Sequence, residues 1–369
     1  MNTDAAETAC PVHSYNEWGR LEEILVGRID QSAIPTGHFE VIYRFPPWKR
    51  FIYRFASGRR YPGFLRKPAM RELEEFVRIL EVEGVKVRRP EIIDYRRPYR
   101  TPNWKSRGLA SACPRDSVLV IGDQLIETPM AWRARYFETF AYRKLFKEYF
   151  RQGARWVSAP KPQLLDESYK TTDYVVDVKG KPVDHILTEF EPLFDAADFA
   201  RCGRDIFYVI SNTTNELGVE WLRRHLGDDY RFHKITTTCP RPMHIDNTFV
   251  PVSPGKAFVN PDWVKIEDLP EITKSWDIRY GPEPDERTEA VKHFQRFSMV
   301  SKWINLNVMM IDEKRVVVDA SQKGTMKFFK EWGIEPIPCP FANYMPFGGS
   351  FHCATLDIHR HGGLESYFD

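Results

Sequence analysis

Residues 194–209 read FDAADFARCGRDIFYV, and a similar stretch at 244–259 reads HIDNTFVPVSPGKAFV. Each begins with a polar or acidic tip and continues as an apolar run, a turn with glycine and a second apolar run, which predicts a strand-turn-strand unit. Because the turns differ in length, two unrelated hairpins would give the same pattern. A true repeat would instead indicate modules arranged round an axis, with their acidic tips converging.

Strand-like runs and amphipathic helical segments recur along the rest of the chain. The strand-like runs are 22–28, 116–122, 205–211, 247–253, 307–312 and 315–320. The helical segments are 70–84, 214–226 and 324–333. This pattern predicts an α/β fold. No Gly/Ser linker interrupts it, so we expect one domain over residues 1–369.

The composition bounds the class of protein. A chain of 369 residues with 42% hydrophobic content can bury a large core. A net charge of +2 gives no overall electrostatic field that would favour binding of nucleic acid. The chain also has no long apolar run and no signal-like start, which predicts a cytoplasmic protein without a membrane partner. The six cysteines lack CxxC spacing, which favours free thiols over a zinc module or disulfides.

Residues 41–67, VIYRFPPWKRFIYRFASGRRYPGFLRK, carry eight basic residues and no acidic one. Pro46 and Pro47 predict the start of a short amphipathic helix, and Gly58 its end. Its apolar positions have helical spacing; they are Phe45, Trp48, Phe51, Ile52 and Phe55. We interpret this face as docking on the core or on the second subunit of a homodimer. A lid over an anionic substrate and contact with a membrane or nucleic acid are the alternatives.

The stretch 346–362, PFGGSFHCATLDIHRHG, allows three interpretations of Cys353: a buried apolar filler, a metal ligand or a nucleophile. Gly348 and Gly349 let backbone N–H groups approach a ligand closely. Nearby histidines favour the thiolate, and a metal site would also draw on them, although their spacing fits none of the usual zinc patterns. These histidines are His352, His359 and His361.

One histidine and three acidic residues could join this thiol in a nucleophilic site. His244 and Asp246 are one residue apart, so on a strand both would point to the same face, although a satisfied hydrogen-bonding pair explains them equally. Asp195 stands in apolar surroundings, where a carboxylate needs a partner or a function. Asp116 directly follows Arg115, and a surface ion pair is the simpler reading. Carboxylates around a thiol suit a guanidinium group, whose carbon a thiolate can attack.

Together, these motifs resemble those of the arginine amidinotransferases. They occur in the same order as in that family and span nearly the whole chain, and some of them resemble the saxitoxin-pathway branch of the family. The motifs are PVHSYNEWGRLEEILVGR (11–28), CPRDSVLVIGDQLIETPMAWR (113–133), APKPQ (159–163), TEFEPLFDAADFARCGRDIF (188–207), LGVEWLRRHL (217–226), PMHIDNTFVPVSPGK (242–256), SKWINLNVMMIDEKRV (301–316) and GGSFHCATLDIHRHG (348–362). The resemblance implies a five-bladed α/β propeller of pseudo-fivefold symmetry, the pentein type.

The resemblance also implies roles for matching residues. Cys353 matches the nucleophile, His244 the general acid and base, and Asp195 the carboxylate that orients the histidine. The implied substrate-binding residues are Asp116 and Asp246 at the guanidinium and Ser301 at the amino-acid end of the donor. We also expect Met243 and Arg241, next to the histidine in sequence, to bind substrate. The implied reaction is ping-pong transfer from L-arginine to an amine acceptor in secondary metabolism, releasing L-ornithine without metal or organic cofactor.

Two positions depart from glycine amidinotransferase. Trp263 follows NPD where that enzyme has an arginine associated with a substrate carboxylate, and Arg241 stands where it has asparagine. We therefore expect Arg241 to take over anion recognition and segment 41–67 to form part of an acceptor lid, while Trp263 either packs or stacks on substrate. The rival functions are a guanidine hydrolase such as an arginine deiminase, and a non-catalytic propeller that binds arginine.

Overall fold

A computed structural model of the chain describes residues 10–43, 45, 47–170, 185–286 and 300–368. The strands are β1 (Leu21–Val26), β2 (Lys86–Arg88), β3 (Pro98–Arg100), β4 (Lys105–Arg107), β5 (Val118–Ile121), β6 (Gln124–Glu127), β7 (Arg155–Ser158), β8 (Phe199–Cys202), β9 (Asp205–Tyr208), β10 (Arg231–Lys234), β11 (Phe249–Ser253), β12 (Lys256–Val259), β13 (Asp277–Tyr280), β14 (Met309–Asp312), β15 (Arg315–Asp319), β16 (Glu335–Cys339) and β17 (Thr355–Arg360). The helices are α1 (Phe39–Ile42), α2 (Pro47–Ala56), α3 (Gly63–Val82), α4 (Pro114–Ser117), α5 (Arg143–Arg151), α6 (Glu216–Leu226) and α7 (Lys323–Glu331).

Five of the sheets among the described residues share one pairing pattern. Their strand orders are β17-β1-β2, β5-β6-β7, β8-β9-β10, β11-β12-β13 and β14-β15-β16. In each, the middle strand pairs antiparallel with one neighbour and parallel with the other. The two similar stretches at 194–209 and 244–259 are therefore two copies of a real repeat, because each supplies the antiparallel pair of one sheet.

The helices bury one face each, as their apolar spacing predicts. In α3 the buried side chains include Leu73, Phe76 and Leu80, which lie three and four residues apart. Asn215 begins α6 by accepting a hydrogen bond from the backbone N–H of Gly218 at 2.9 Å. Helices α3, α5, α6 and α7 each lie between a middle strand and its parallel partner, which is the connection that parallel strands require.

A polar residue with a potential chemical role precedes the first strand of each of these sheets. These residues are Asp116 before β5, Asp195 before β8, Asp246 before β11, Asn307 before β14 and Cys353 before β17. The two aspartates from the quoted repeats line one cavity, together with Asp116 and Cys353. The expected convergence of acidic tips is confirmed.

The predicted elements are present with shifted ends, and the fold is mixed α/β as expected. No closed sheet joins the described strands, which form separate sheets, so the five-bladed arrangement stays a prediction. No helix in the described part of the chain is long and apolar enough to cross a membrane.

The basic segment at 41–67 corrects one expectation. Helix α2 begins at Pro47 as predicted, while Pro46 and the side chain of Ile52 lie outside the described residues. Phe45 is buried, but Trp48, Phe51 and Phe55 are 56%, 62% and 64% exposed, so the docking of this face on the protein's own core is wrong for these three. The spacing of apolar residues defines one face of a helix, whereas the burial of that face depends on parts of the chain that are distant in sequence.

Candidate active site

The converging segments enclose one cavity with about 880 Å³ of empty space, counting its open mouth. Every residue that the sequence pointed to as a site residue lines it; these are Asp116, Asp195, Arg241, Met243, His244, Asp246, Ser301 and Cys353.

Cys353 is buried and lines the cavity, and Asn307 contacts both its backbone and its sulfur. The Asn307 Oδ1 accepts the backbone N–H groups of Cys353 and Ser350, each at 3.2 Å, and its Nδ2 donates to the Cys353 Sγ at 3.2 Å. A Cβ added at Gly349 would lie 2.3 Å from the Cys353 Cβ, so only glycine allows this close approach. The thiol is thereby fixed in position.

Carboxylates surround that thiol. The Cys353 Sγ donates to Asp246 Oδ2 at 3.2 Å. Burial, followed by the charges of Asp246 and Asp116, raises the pKa of Cys353 well above its ordinary value. The free protein therefore holds a protonated thiol, and the nearby imidazoles do not produce the thiolate that the sequence favoured.

His244 reaches the cavity from an irregular turn. The assumption of a strand at 244–246 is wrong, because this segment has no strand structure and His244 has a φ of +65°, in the left-handed region. Asp198 compensates for the strain by accepting the backbone N–H of His244 at 3.0 Å. Its other oxygen accepts the hydroxyl groups of Ser211, Thr213 and Thr214.

The His244 imidazole lies between two carboxylates. Its Nε2 is 3.1 Å from Asp195 Oδ2, and its Nδ1 is 3.7 Å from Asp116 Oδ1. Burial alone would lower the pKa of His244, but the charge of Asp116 and the hydrogen bond to Asp195 raise it to about 10. The imidazole is therefore a cation at neutral pH. One side-chain oxygen of Asp116, one ring nitrogen of His244 and the sulfur of Cys353 all lie within 4.8 Å of one another.

Asp116 has a different partner from the one its sequence suggested. Arg115 points away and pairs with Asp357 at 2.7 Å, while Arg135 donates to Asp116 Oδ2 at 2.7 Å. Arg135 is itself held by both oxygens of Glu138. Asp116 Oδ1 and Asp195 Oδ1 are buried and accept no hydrogen bond from the described residues, so both can accept N–H groups of a cation.

The remaining predicted residues also line the cavity. Ser301 accepts the backbone N–H of Trp303 at 3.1 Å through its Oγ, and the hydroxyl proton can still be donated. Met243 packs against the apolar cluster around Trp132. Trp263 lines the cavity and also packs against two apolar clusters, so packing accounts for part of its role.

The metal-site interpretation of Cys353 does not match the geometry of the neighbouring histidines. His352 contacts Asp246 and Glu17. His359 and His361 both contact Glu22, at distances of 3.6 and 2.6 Å. Neither His359 nor His361 lines the cavity that holds Cys353, so these three imidazoles do not converge on the thiol.

Three site residues escaped the sequence reasoning: Asn307, Arg135 and Glu138. Asn307 lies within the quoted motif at 301–316, but a lone amide before an apolar run gives no chemical signal. Arg135 and Glu138 are three residues apart and follow the motif at 113–133, a spacing that also describes many surface ion pairs. Only the burial of both groups distinguishes them.

Fold and site together define an α/β protein with a buried cysteine, a cationic histidine and carboxylates in one cavity. This arrangement is typical of an enzyme that uses a cysteine side chain as its nucleophile. The chain is 48% identical over 357 residues to the L-arginine:L-lysine amidinotransferase of Pseudomonas savastanoi pv. phaseolicola, covering 97% of this chain and 96% of that one. It is 44% identical over 376 residues to the mitochondrial glycine amidinotransferase of Gallus gallus, covering 99% and 86%.

A solved structure agrees with these relatives. SxtG, an amidinotransferase of the saxitoxin biosynthetic pathway from Microseira wollei, superposes with a TM-score of 0.89 at 48% identity, covering 97% of this chain and 100% of that one. No protein-family model matches the chain. The protein belongs to the amidinotransferase family, and its activity is that of an amidinotransferase.

Proposed function

We propose that this amidinotransferase moves the amidino group of L-arginine to the primary amine of a second small molecule, through an amidino-cysteine intermediate on Cys353. The observation that carries the proposal is the buried thiol beside a cationic histidine and two carboxylate oxygens, on Asp116 and Asp195, that accept no hydrogen bond from any described residue. A planar cation with several N–H donors satisfies these groups.

In the first half-reaction, the amidino group moves from L-arginine to the Cys353 sulfur, and the charges of the carboxylates and of His244 each have a role. With the guanidinium held by Asp116 and Asp246, its positive charge beside the sulfur lowers the pKa of the Cys353 thiol, which loses its proton to solvent. The resulting thiolate attacks the guanidinium carbon. The bond from that carbon to the side-chain nitrogen of ornithine then breaks as His244 gives this nitrogen a proton. Asp195 holds the imidazole, and the amidino group stays on the sulfur.

The second half-reaction reverses the proton transfer. An acceptor amine enters after ornithine leaves and attacks the same carbon, while His244, now neutral, takes a proton from it. The carbon–sulfur bond breaks and leaves the Cys353 thiolate, which takes a proton from solvent as the guanidinium product departs and so restores the thiol. The relative from Microseira wollei supports a role in secondary metabolism, and the likeness in fold and repeat supports five sheets arranged as propeller blades in one domain.

Product analysis tests this proposal against its rivals. With L-arginine and a primary amine such as L-lysine or glycine, we expect ornithine and a guanidino product. Citrulline in place of ornithine would identify a guanidine hydrolase, in which water replaces the amine. Binding of L-arginine without any product would identify a non-catalytic protein.

Charge on Asp246 should suppress the reactivity of the thiol in the free protein. Because that carboxylate is one cause of the raised pKa of Cys353, Asp246→Asn should lower this pKa and speed alkylation by iodoacetamide at pH 8 by about tenfold for each unit of pKa lost. The rate is measured by mass spectrometry of the Cys353 peptide, with the Cys10 peptide as internal control. Slower alkylation of Cys353 in the variant would contradict this electrostatic account.

Arg241 is the proposed site for a substrate carboxylate. We expect Arg241→Ala to raise the KM of one substrate by about tenfold to a hundredfold and to lower kcat much less, because the contact is made equally in ground and transition states. Steady-state kinetics with each substrate varied in turn measure this effect. The exposed Arg223→Ala is the control, and unchanged KM values for both substrates in Arg241→Ala would overturn the assignment.

A further inference from the structure

His352 directly precedes Cys353, yet the proposed mechanism gives it no task. Its imidazole bridges two carboxylates: Nδ1 is 3.0 Å from Asp246 Oδ2, and Nε2 is 3.3 Å from Glu17 Oε2. Carboxylate oxygens accept hydrogen bonds, so both ring nitrogens must carry protons to satisfy both contacts. The geometry therefore describes an imidazolium ion.

The far side of this bridge is rigid. Arg201 donates to both oxygens of Glu17, at 2.7 and 2.8 Å, and Arg115 donates to Oε2 at 3.3 Å. Both arginines also donate to Asp357. All four residues are buried, so Glu17 belongs to a fixed ionic network, and the His352 imidazole links this network to Asp246, which lines the cavity.

The near side of the bridge is the reactive thiol. Asp246 Oδ2 receives both His352 Nδ1–H and the Cys353 Sγ–H, at 3.0 and 3.2 Å. The other oxygen, Oδ1, takes part in neither contact. A carboxylate held this way by one edge presents its second oxygen in a defined direction.

We propose that His352 is a positioning residue for the transfer reaction: clamped as a cation between Glu17 and Asp246, it aims Asp246 at the thiol and keeps that carboxylate charged for the guanidinium. This inference rests on the proposed function, since it assigns His352 a role only if Asp246 holds a substrate cation.

The charges facing these groups support the assignment. For His352, burial and the charge of Arg115 lower the pKa, but the contacts with Asp246 and Glu17 outweigh them and raise it. For Asp246, burial would raise the pKa, and the His352 contact, assisted by the charge of His244 and the Cys353 thiol, lowers it. Loss of the imidazolium should therefore raise the pKa of Asp246, so that protonation disables the site at a higher pH.

The test measures the first half-reaction, which needs no acceptor. Ornithine released in a single turnover from L-arginine is followed from pH 5 to 9 for the native protein, His352→Asn and His352→Gln. His233→Asn is the matched control, because His233 also contacts a buried carboxylate, Asp205 at 2.7 Å, but Asp205, unlike Asp246, does not line the cavity. Melting temperatures show which variants fold, and His352→Gln carries the test if His352→Asn does not.

The expected result is a rate about tenfold to a hundredfold lower for His352→Asn at pH 8, the value of one charge-assisted hydrogen bond. Its acid inflection should move to higher pH, and that of His352→Gln should move in the same direction because neither amide carries the charge of the imidazolium, while that of His233→Asn should not change. A lower melting temperature with the native pH profile would overturn the inference and leave the proposed function intact. No ornithine from the native protein would overturn both.

Discussion

Replacement of Cys353 by alanine is expected to lower amidino transfer by about four orders of magnitude or more, the scale at which enzymes lose a nucleophile. The carboxylates and His244 would remain, so L-arginine should still bind. The expected pattern is binding without ornithine, measured by calorimetry and by product analysis on the same sample.

A second thiol in the same cavity provides the control for this prediction. Cys113 also lines the cavity and is buried, and burial raises its pKa as it raises that of Cys353. The difference is that the Asn307 amide contacts the Cys353 sulfur and makes no such contact with Cys113 among the described residues. Cys113→Ala should keep most of the transfer activity. If Cys113→Ala lost activity and Cys353→Ala kept it, the nucleophile would be misassigned.

Replacement of His244 by asparagine is expected to lower turnover by about three orders of magnitude, because neither half-reaction would have its proton donor or acceptor. The pKa of about 10 predicts the pH dependence of the native protein. The protonated imidazole is the acid that ornithine needs, so ornithine release should persist to pH 9 and decline as the pH passes 10. Single-turnover ornithine release, measured across this range, checks both expectations.

Asp195→Asn tests whether His244 acts as the proton donor or has only a structural role. Removal of the Asp195 charge and hydrogen bond lowers the pKa of His244, so the alkaline decline should move to lower pH. His225→Asn is the control, since His225 contacts Gln124 at 2.9 Å and does not line the cavity. If ornithine release by Asp195→Asn declined at the same alkaline pH as in the native protein, a group other than His244 would determine that decline.

Much of the site could be predicted because its main groups are chemically conspicuous. A cysteine after paired glycines, a histidine two residues before an aspartate and a carboxylate between apolar residues each carry a signal in their own segment. The repeat likewise indicated that acidic tips would converge. Their convergence follows from the pairing pattern, which places Asp195 and Asp246 before equivalent strands.

The rest depends on contacts between distant segments. The partner of Asp116 is Arg135 rather than the adjacent Arg115, and Glu17 reaches His352 across 335 residues of sequence. Asn307 gains its role only when β14 and β17 bring it beside Cys353. No local spacing encodes these contacts, and the exposed aromatic face of α2 shows the same limit for packing.

Intact-protein mass after brief exposure to L-arginine alone tests the covalent mechanism most directly. The native protein should gain the mass of one amidino group, release one equivalent of ornithine and lose the added mass when an acceptor amine is supplied. Cys353→Ala should gain nothing. Ornithine or citrulline formed by the native protein without any adduct on Cys353, even under rapid quenching, would contradict the amidino-cysteine intermediate and indicate direct attack on bound arginine.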